Sequence, residues 1–304
     1  VTTRRREAAA AIRAIAADVG VRVRVHAQVV GPDPAPPEVA VDDGVPTAIA
    51  SLYKLPLAAA WADLAHAHTL DPRARLALPS GSRTPGPTGV ATLVDDVELS
   101  QRDTVRLMLS VSDNTCADAV LGLVSLGRLA QWLAAHGLTD TTISHGSADS
   151  LRRIIEETGG RSEAEAMARL ADPRFDRGTS EYDAALASSS TARELTSMMR
   201  ILWGDERYAW VRESMRQQAW RHRIGSGFPH DDVDVAGKTG TLGRLRHEAA
   251  VVHFPQEYPV AVAVLTDSIR PEIHQPRVDN AIGAIARIAV NALRRPVEVA
   301  RPPG

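Results

Sequence analysis

The chain has 304 residues, of which 44% are hydrophobic and 24% charged, and its 35 Lys and Arg against 37 Asp and Glu leave a net charge of −2. That length is ample for one large domain or two closely packed lobes, and the near-neutral balance argues against a nucleic-acid or other strongly charged partner. The sequence has no apolar run of transmembrane length, and a single cysteine, Cys116, excludes an internal disulfide.

In chain order, residues 5–18 predict a helix with Ala8, Ile12 and Ile15 near helical spacing, ended by Gly20. Glu7, Arg13 and Asp18 interrupt what would be the apolar core of an export signal, so a native start and a cytoplasmic location are expected. VRVRVHAQVV at 21–30 alternates as a half-buried strand, and VAVDDG after the Pro-rich turn is a candidate hairpin partner. AIASLYKLPLAAAWADLA at 48–65 predicts a helix beginning at or near Ser51, buried nearly all round, with Pro56 tolerated in its first turn. Residues 71–98 read as an irregular, Pro- and Gly-rich excursion. Ser100 with Asp103 caps a helix through Met108; SVSDNTCAD breaks it, and two helices follow to His136.

Residues 149–171 predict two polar helices, and 172–190 carry no clear period. Thr191 with Glu194 is a capping box opening a helix to Trp203, and 206–219 read as helical. VDVAGKTG, LRHEAAVVHF and PVAVAVLTDS are strand-like, and 276–294 close the chain as an amphipathic helix. The order predicts an α/β (α+β) architecture. A five-stranded antiparallel sheet flanked by the terminal helices (1–50 and 226–304) adjoins an all-helical lobe (51–225), with a site between them.

Three short motifs occur in order: Ser51-Leu-Tyr-Lys54, Ser112-Asp113-Asn114 and Lys238-Thr239-Gly240. Each has an ordinary reading: a helix cap with a solvated Lys, an Asx-type turn, a strand end. Together, on a buried helix, in a helix break and on a strand, they resemble the class A β-lactamase and penicillin-binding-protein superfamily of active-site serine enzymes. The resemblance spans nearly the whole chain and includes Pro56, Thr115 and the strand from Arg246 to Val252. It implies Ser51 as nucleophile, Lys54 as its base, and Ser112 as the group that passes a proton to the leaving atom. Asn114 would bind the substrate's acyl side chain. Lys238, Thr239 and Gly240, with Arg246, would hold a substrate carboxylate, and the N–H groups of Ser51 and Thr241 would form the oxyanion hole. Lys54 can act only when neutral, and burial beside Lys238 would lower its pKa. Arg246 has the alternative of a surface strand residue. Asp113 reads as structural, Cys116 as a small buried side chain, and His247 as an ordinary edge residue, with a place bordering the site as the alternative. His66 and His68 cannot converge on a helix, so no metal or cofactor is expected.

One departure stands out. The class A enzymes carry a glutamate ahead of the helix start that matches SSSTARE at 188–194; it activates the deacylating water. The preceding RFDRGTSEYDAALA lacks that context. Glu181, with Asp176 as an alternative, is the candidate base, against an exposed loop carboxylate. Extra chain at roughly 145–172 and the LRHEAAVVHFP strand resemble the β-lactamase-like esterases of clavulanic acid-type pathways. The expected activity is therefore acyl-enzyme hydrolysis of a carboxylate-bearing small molecule, esterase-like with weak lactamase activity and no nucleic-acid or membrane partner. The rivals are a true β-lactamase with an unusual base and a non-catalytic protein that holds a β-lactam or intermediate.

Overall fold

A computed structural model describes residues 2–175 and 178–297. The first section is α1 (Thr2–Val19), β1 (Val21–Val29), β2 (Glu38–Val41) and β3 (Thr47–Ala48). The middle runs α2 (Lys54–His66), β4 (Arg75–Leu78), β5 (Val97–Ser100), α3 (Gln101–Ser110), α4 (Asn114–Val124), α5 (Leu126–Ala135), α6 (Ser147–Thr158) and α7 (Glu163–Ala171). It continues with β6 (Ser189–Ser190), α8 (Ala192–Gly204) and α9 (Ala209–Arg216). The last section is β7 (Asp234–Leu242), β8 (Leu245–His253), β9 (Val260–Ser268) and α10 (Pro276–Asn291).

Five strands pair antiparallel in the order β2-β1-β9-β8-β7, so the two strand groups at opposite ends of the chain merge into one sheet. Its centre is buried on both faces. Along β9 the two faces serve different cores: Val260, Val262 and Val264 meet α1 and α10, while the small Ala261 and Ala263, and then Leu265, face the helical side. The small alanines let α8 pack closely across β9, β1 and β8. On that face β1 is polar, and His26 and Gln28 both reach Thr196 of α8, at 2.5 and 2.9 Å.

Local chemistry accounts for most helix ends. Ser100 accepts from Asp103 N and Asp113 from Cys116 N, which caps α3 and α4. Thr191 accepts from Glu194 N at 3.1 Å, but only half of the expected capping box forms. The Glu194 carboxylate turns to Asp140 N and Thr141 Oγ1, tying α8 to the chain after α5. Residues 71–98 are less irregular than expected, because β4 and β5 form a short hairpin. Helical structure after 206 is a 3₁₀ turn followed by α9, which stops at Arg216. Among the described residues no helix is long and apolar enough to cross a membrane.

Candidate active site

Ser51 does not open an α-helix. Residues Ala50–Tyr53 form a 3₁₀ turn, and α2 begins at Lys54. Ala50 takes a left-handed conformation, φ 45°, which alanine adopts only under constraint from its surroundings. The constraint comes from both sides. β3 pairs with β6, and Ile49 N donates to Ser188 O at 3.0 Å. Behind the turn, β7 approaches so closely that only glycine fits at position 240: a Cβ there would lie 2.6 Å from Ile49 O and 3.1 Å from Leu52 Cγ. Gly240→Ala is therefore expected to destabilise by about 1–3 kcal/mol, as overpacked cores do, and to depress activity by displacing the Ser51 turn. Denaturant unfolding and ester hydrolysis check the two effects separately.

His247 strengthens the same join. It lies at the fully buried centre of β8 rather than at an edge, because α8 and the Ala50–Tyr53 turn pack over that face. Its Nδ1 accepts from Thr266 N at 3.1 Å, which leaves the proton on Nε2 to donate to Ala48 O at 2.9 Å. Burial holds this imidazole well below its ordinary pKa, at about 3, so it is neutral and its tautomer is set.

Two buried lysines converge on Ser112. Lys54 Nζ donates to Ser112 O at 2.6 Å, to Asn114 Oδ1 at 2.9 Å and to Ser112 Oγ at 3.3 Å. Lys238 Nζ donates to the same Oγ at 2.8 Å and to Thr239 O at 2.7 Å. Ser112 is itself left-handed, φ 62°, and this strained backbone turns its carbonyl toward Lys54. Asp113 holds the strained loop: it is fully buried and accepts from Val90 N at 2.5 Å and Cys116 N at 2.9 Å. Cys116 is buried, and its thiol is pushed up by burial and by Asp113. Burial lowers the Lys54 pKa to about 8, with Asp113 and Asp118 opposing. Lys238 is lowered well below its ordinary value, by burial first and then by Lys54 and Arg223. Among the described residues no hydrogen bond joins Lys54 to the Ser51 hydroxyl; the ammonium faces Ser112 and Asn114 instead.

Ser51, Ser112, Asn114, Thr239, Thr241 and Arg246 line one cavity of about 690 Å³. Arg246 is only 6% exposed, not a surface residue, and pairs with Asp279 at 3.3 Å. It also donates to Ile273 O, while its Nε has no partner among the described residues. Sequence reasoning missed Arg223. This buried guanidinium donates to Thr241 Oγ1 at 2.8 Å, Gly240 O at 3.0 Å, His247 O at 2.8 Å and Asp279 at 2.8 Å. No local pattern in WRHR could have singled it out, because its partners come from β7, β8 and α10. Arg223 and Arg246 line this end of the cavity together with Asp279, the carboxylate with which both pair. The buried Glu248, its pKa raised to about 7 by burial, accepts from Ile224 N at 2.7 Å nearby.

Glu181 is buried, not an exposed loop carboxylate, because the chain beyond α7 folds back over α6. It lines the same cavity as Ser51. Ser150 Oγ donates to it at 2.7 Å, His145 Nε2 lies 3.0–3.1 Å from its two oxygens, and Arg153 is 3.6 Å away. Burial works against its charge, but His145, Ser150 and Arg153 outweigh that and hold the carboxyl below its ordinary value. His145 was also missed; without Glu181 beside it in space, a lone histidine carried no signal. Asp176 lies outside the described residues. Among those residues, no cluster of three or more His, Cys, Asp or Glu side chains could hold a metal.

A model of the β-lactamase enzyme family matches residues 7–293. The β-lactamase regulatory protein BlaB of Streptomyces cacaoi is 31% identical over 282 residues, 84% of this chain and 89% of that protein. The β-lactamase of Sphaerobacter thermophilus DSM 20745 has a TM-score of 0.74 at 22% identity, with 94% of this chain and 95% of that one covered. The β-lactamase of Burkholderia phymatum has a TM-score of 0.76 at 18% identity, with 96% and 100% covered. The solved structures, at this identity, speak for a shared β-lactamase/transpeptidase-like fold. Since the family match takes in every element from α1 to α10 and the fold is that of solved β-lactamases, this chain belongs to the β-lactamase enzyme family.

Proposed function

We propose that the chain is an active-site serine hydrolase that forms an acyl-enzyme at Ser51 on a carboxylate-bearing ester, amide or β-lactam-like substrate. The observation that carries this reading is the convergence of Lys54 and Lys238 on one hydroxyl, Ser112 Oγ, in a cavity that Ser51 also lines. Neutral Lys54 takes the Ser51 proton as Oγ attacks the acyl carbonyl. The two lysines occupy the lone pairs of Ser112 Oγ, so its O–H is left to donate. Ser112 therefore protonates the leaving atom as the scissile bond breaks and recovers a proton from the lysine pair. Lys238, Thr239, Arg246 and Arg223 hold the substrate carboxylate, and Asn114 orients the acyl group. The N–H groups of Ser51 and Thr241 stabilise the oxyanion, a contribution of about 10²–10³ in rate for each donor.

Intact-mass spectrometry after exposure to benzylpenicillin tests the reading. A gain of one penicillin on the wild-type chain is expected; an unmodified protein that also hydrolyses no carboxylate-bearing ester rejects it. The pH profile tests the base. Lys54 must lose its proton to act, so kcat/KM for acylation is expected to rise with pH and level off above about 8. A rise complete below the ordinary carboxylate range would assign the base to Glu181 instead.

The relation to BlaB favours a second reading, in which a long-lived acyl-enzyme or bound β-lactam serves as a signal and turnover is incidental. Nitrocefin separates the two: repeated turnover supports the hydrolase, while a single stoichiometric burst supports the regulatory protein.

A further inference from the structure

The cavity beside Ser51 continues past Glu181 and Ser150 along the hairpin of α6 and α7, which builds this extension. Ser147, Ser150, Leu151 and Ile154 share one face of α6 and all line the cavity. Ser147 stands at the reacting end, its Oγ 2.8 Å from Tyr53 Oη and 3.3 Å from Asn114 Oδ1. Ile154 follows seven residues later, about 10 Å along the helix at a rise of about 1.5 Å per residue. α7 packs against α6 through Ile154, Ala166 and Leu170, and presents Met167 and Glu163, one turn apart, to the same cavity. Leu151, Met167 and Leu242 are only partly buried, so the walls of this extension keep apolar surface that an occupant would cover. The two cavity arginines lie on β8 and the Arg223 segment, whereas α6 begins beside Asn114 through Ser147 and meets only the end of β7, at Leu242. A substrate whose carboxylate meets Arg246 therefore directs its acyl group toward α6.

We infer that the substrate carries an apolar acyl chain of medium length, seated along the α6–α7 hairpin against Leu151, Ile154 and Met167 and ending near Glu163, with its carboxylate on the leaving group. This rests on the reading of Ser51 as the nucleophile. The reaction is then ester cleavage: the Ser51 oxygen bonds the acyl carbon, the alcohol leaves with a proton, and water releases a fatty acid and restores Ser51.

The test uses esters of 5-hydroxy-2-nitrobenzoic acid, which carry a carboxylate and release a coloured phenolate, with acyl chains from acetyl to dodecanoyl. kcat/KM is expected to rise about fourfold per added methylene, the equivalent of about 0.8 kcal/mol, as far as octanoyl and to fall by dodecanoyl. Leu151→Trp should lower the octanoyl-to-acetyl ratio by at least tenfold, and Glu163→Leu should move the optimum to longer chains. A profile flat in chain length, or one that Leu151→Trp leaves unchanged, overturns the inference. Calorimetric binding of the same acyl series as amides of 3-aminobenzoic acid reads the pocket without turnover. Length-dependent affinity there, in wild type or Ser51→Ala, supports the pocket even if no ester is cleaved and the nucleophile reading fails. Equal affinity across the series overturns it.

Discussion

Ser51→Ala is expected to lower kcat/KM for a carboxylate-bearing ester by about 10⁴–10⁶-fold and to abolish the penicillin adduct. Comparable losses follow removal of the nucleophile in other serine hydrolases, where the residual rate comes from the oxyanion hole and substrate binding alone. The fold should survive, since Ser51 is half-buried and its side chain caps nothing. Lys54→Met should be nearly as damaging. The double variant should be scarcely worse than either, because a nucleophile and its base act as one unit and their effects do not add. Lys54→Met also removes donors to Ser112 O and Asn114 Oδ1, so its unfolding free energy must be measured alongside. A Ser51→Ala protein with wild-type hydrolysis would end the acyl-enzyme proposal, and multiplicative losses would end the pairing of Ser51 with Lys54.

Glu181→Gln should act at the opposite end of the cycle. If this carboxylate activates the deacylating water, the variant acylates at the wild-type rate but releases the acyl group about 10²–10⁴-fold more slowly, the usual contribution of a general base. The adduct would then persist long enough for mass spectrometry to show it stoichiometric. The surroundings suit the role: Glu181 lines the Ser51 cavity, and its neighbours keep it ionised. A purely structural role predicts something else. Glutamine would leave Arg153 without its counter-charge and weaken the His145 contact, lowering stability and acylation together. His145→Ala distinguishes the two, since loss of a positioning contact should slow deacylation less than loss of the base. An unchanged acyl-enzyme lifetime in Glu181→Gln would remove this residue from the mechanism. Since its folded pKa is depressed, the deacylation limb should lie below the ordinary carboxylate range, and deacylation should be lost only as pH falls through it.

The sheet was legible in the sequence because its strands carry their own signal. VAVAVL alternates large and small apolar residues, and β9 lies between two cores that need that alternation. Ser100 and Asp103 announced α3 because a cap is made within one turn. Ser51, Lys54, Ser112 and Lys238 were legible as motifs, although spacing alone did not reveal which of them meet. Helical structure does begin near Ser51, but that its first turn is 3₁₀ was not legible, because the turn at 50–53 is held by β6 and β7, which a local propensity cannot sense.

By itself the sequence determined the main helices, the strands of the central sheet and the residue types available for acyl transfer, since these depend on neighbours within a few positions; the short β3–β6 and β4–β5 pairs it did not. Only the tertiary structure decided the charge states and the partners. Burial, not identity, makes Lys54 a candidate base and His247 a neutral strut. Arg223, His145 and Glu181 gained their places from contacts across 17 to 56 residues. Those are interactions between groups that meet only when separate elements pack and water is excluded.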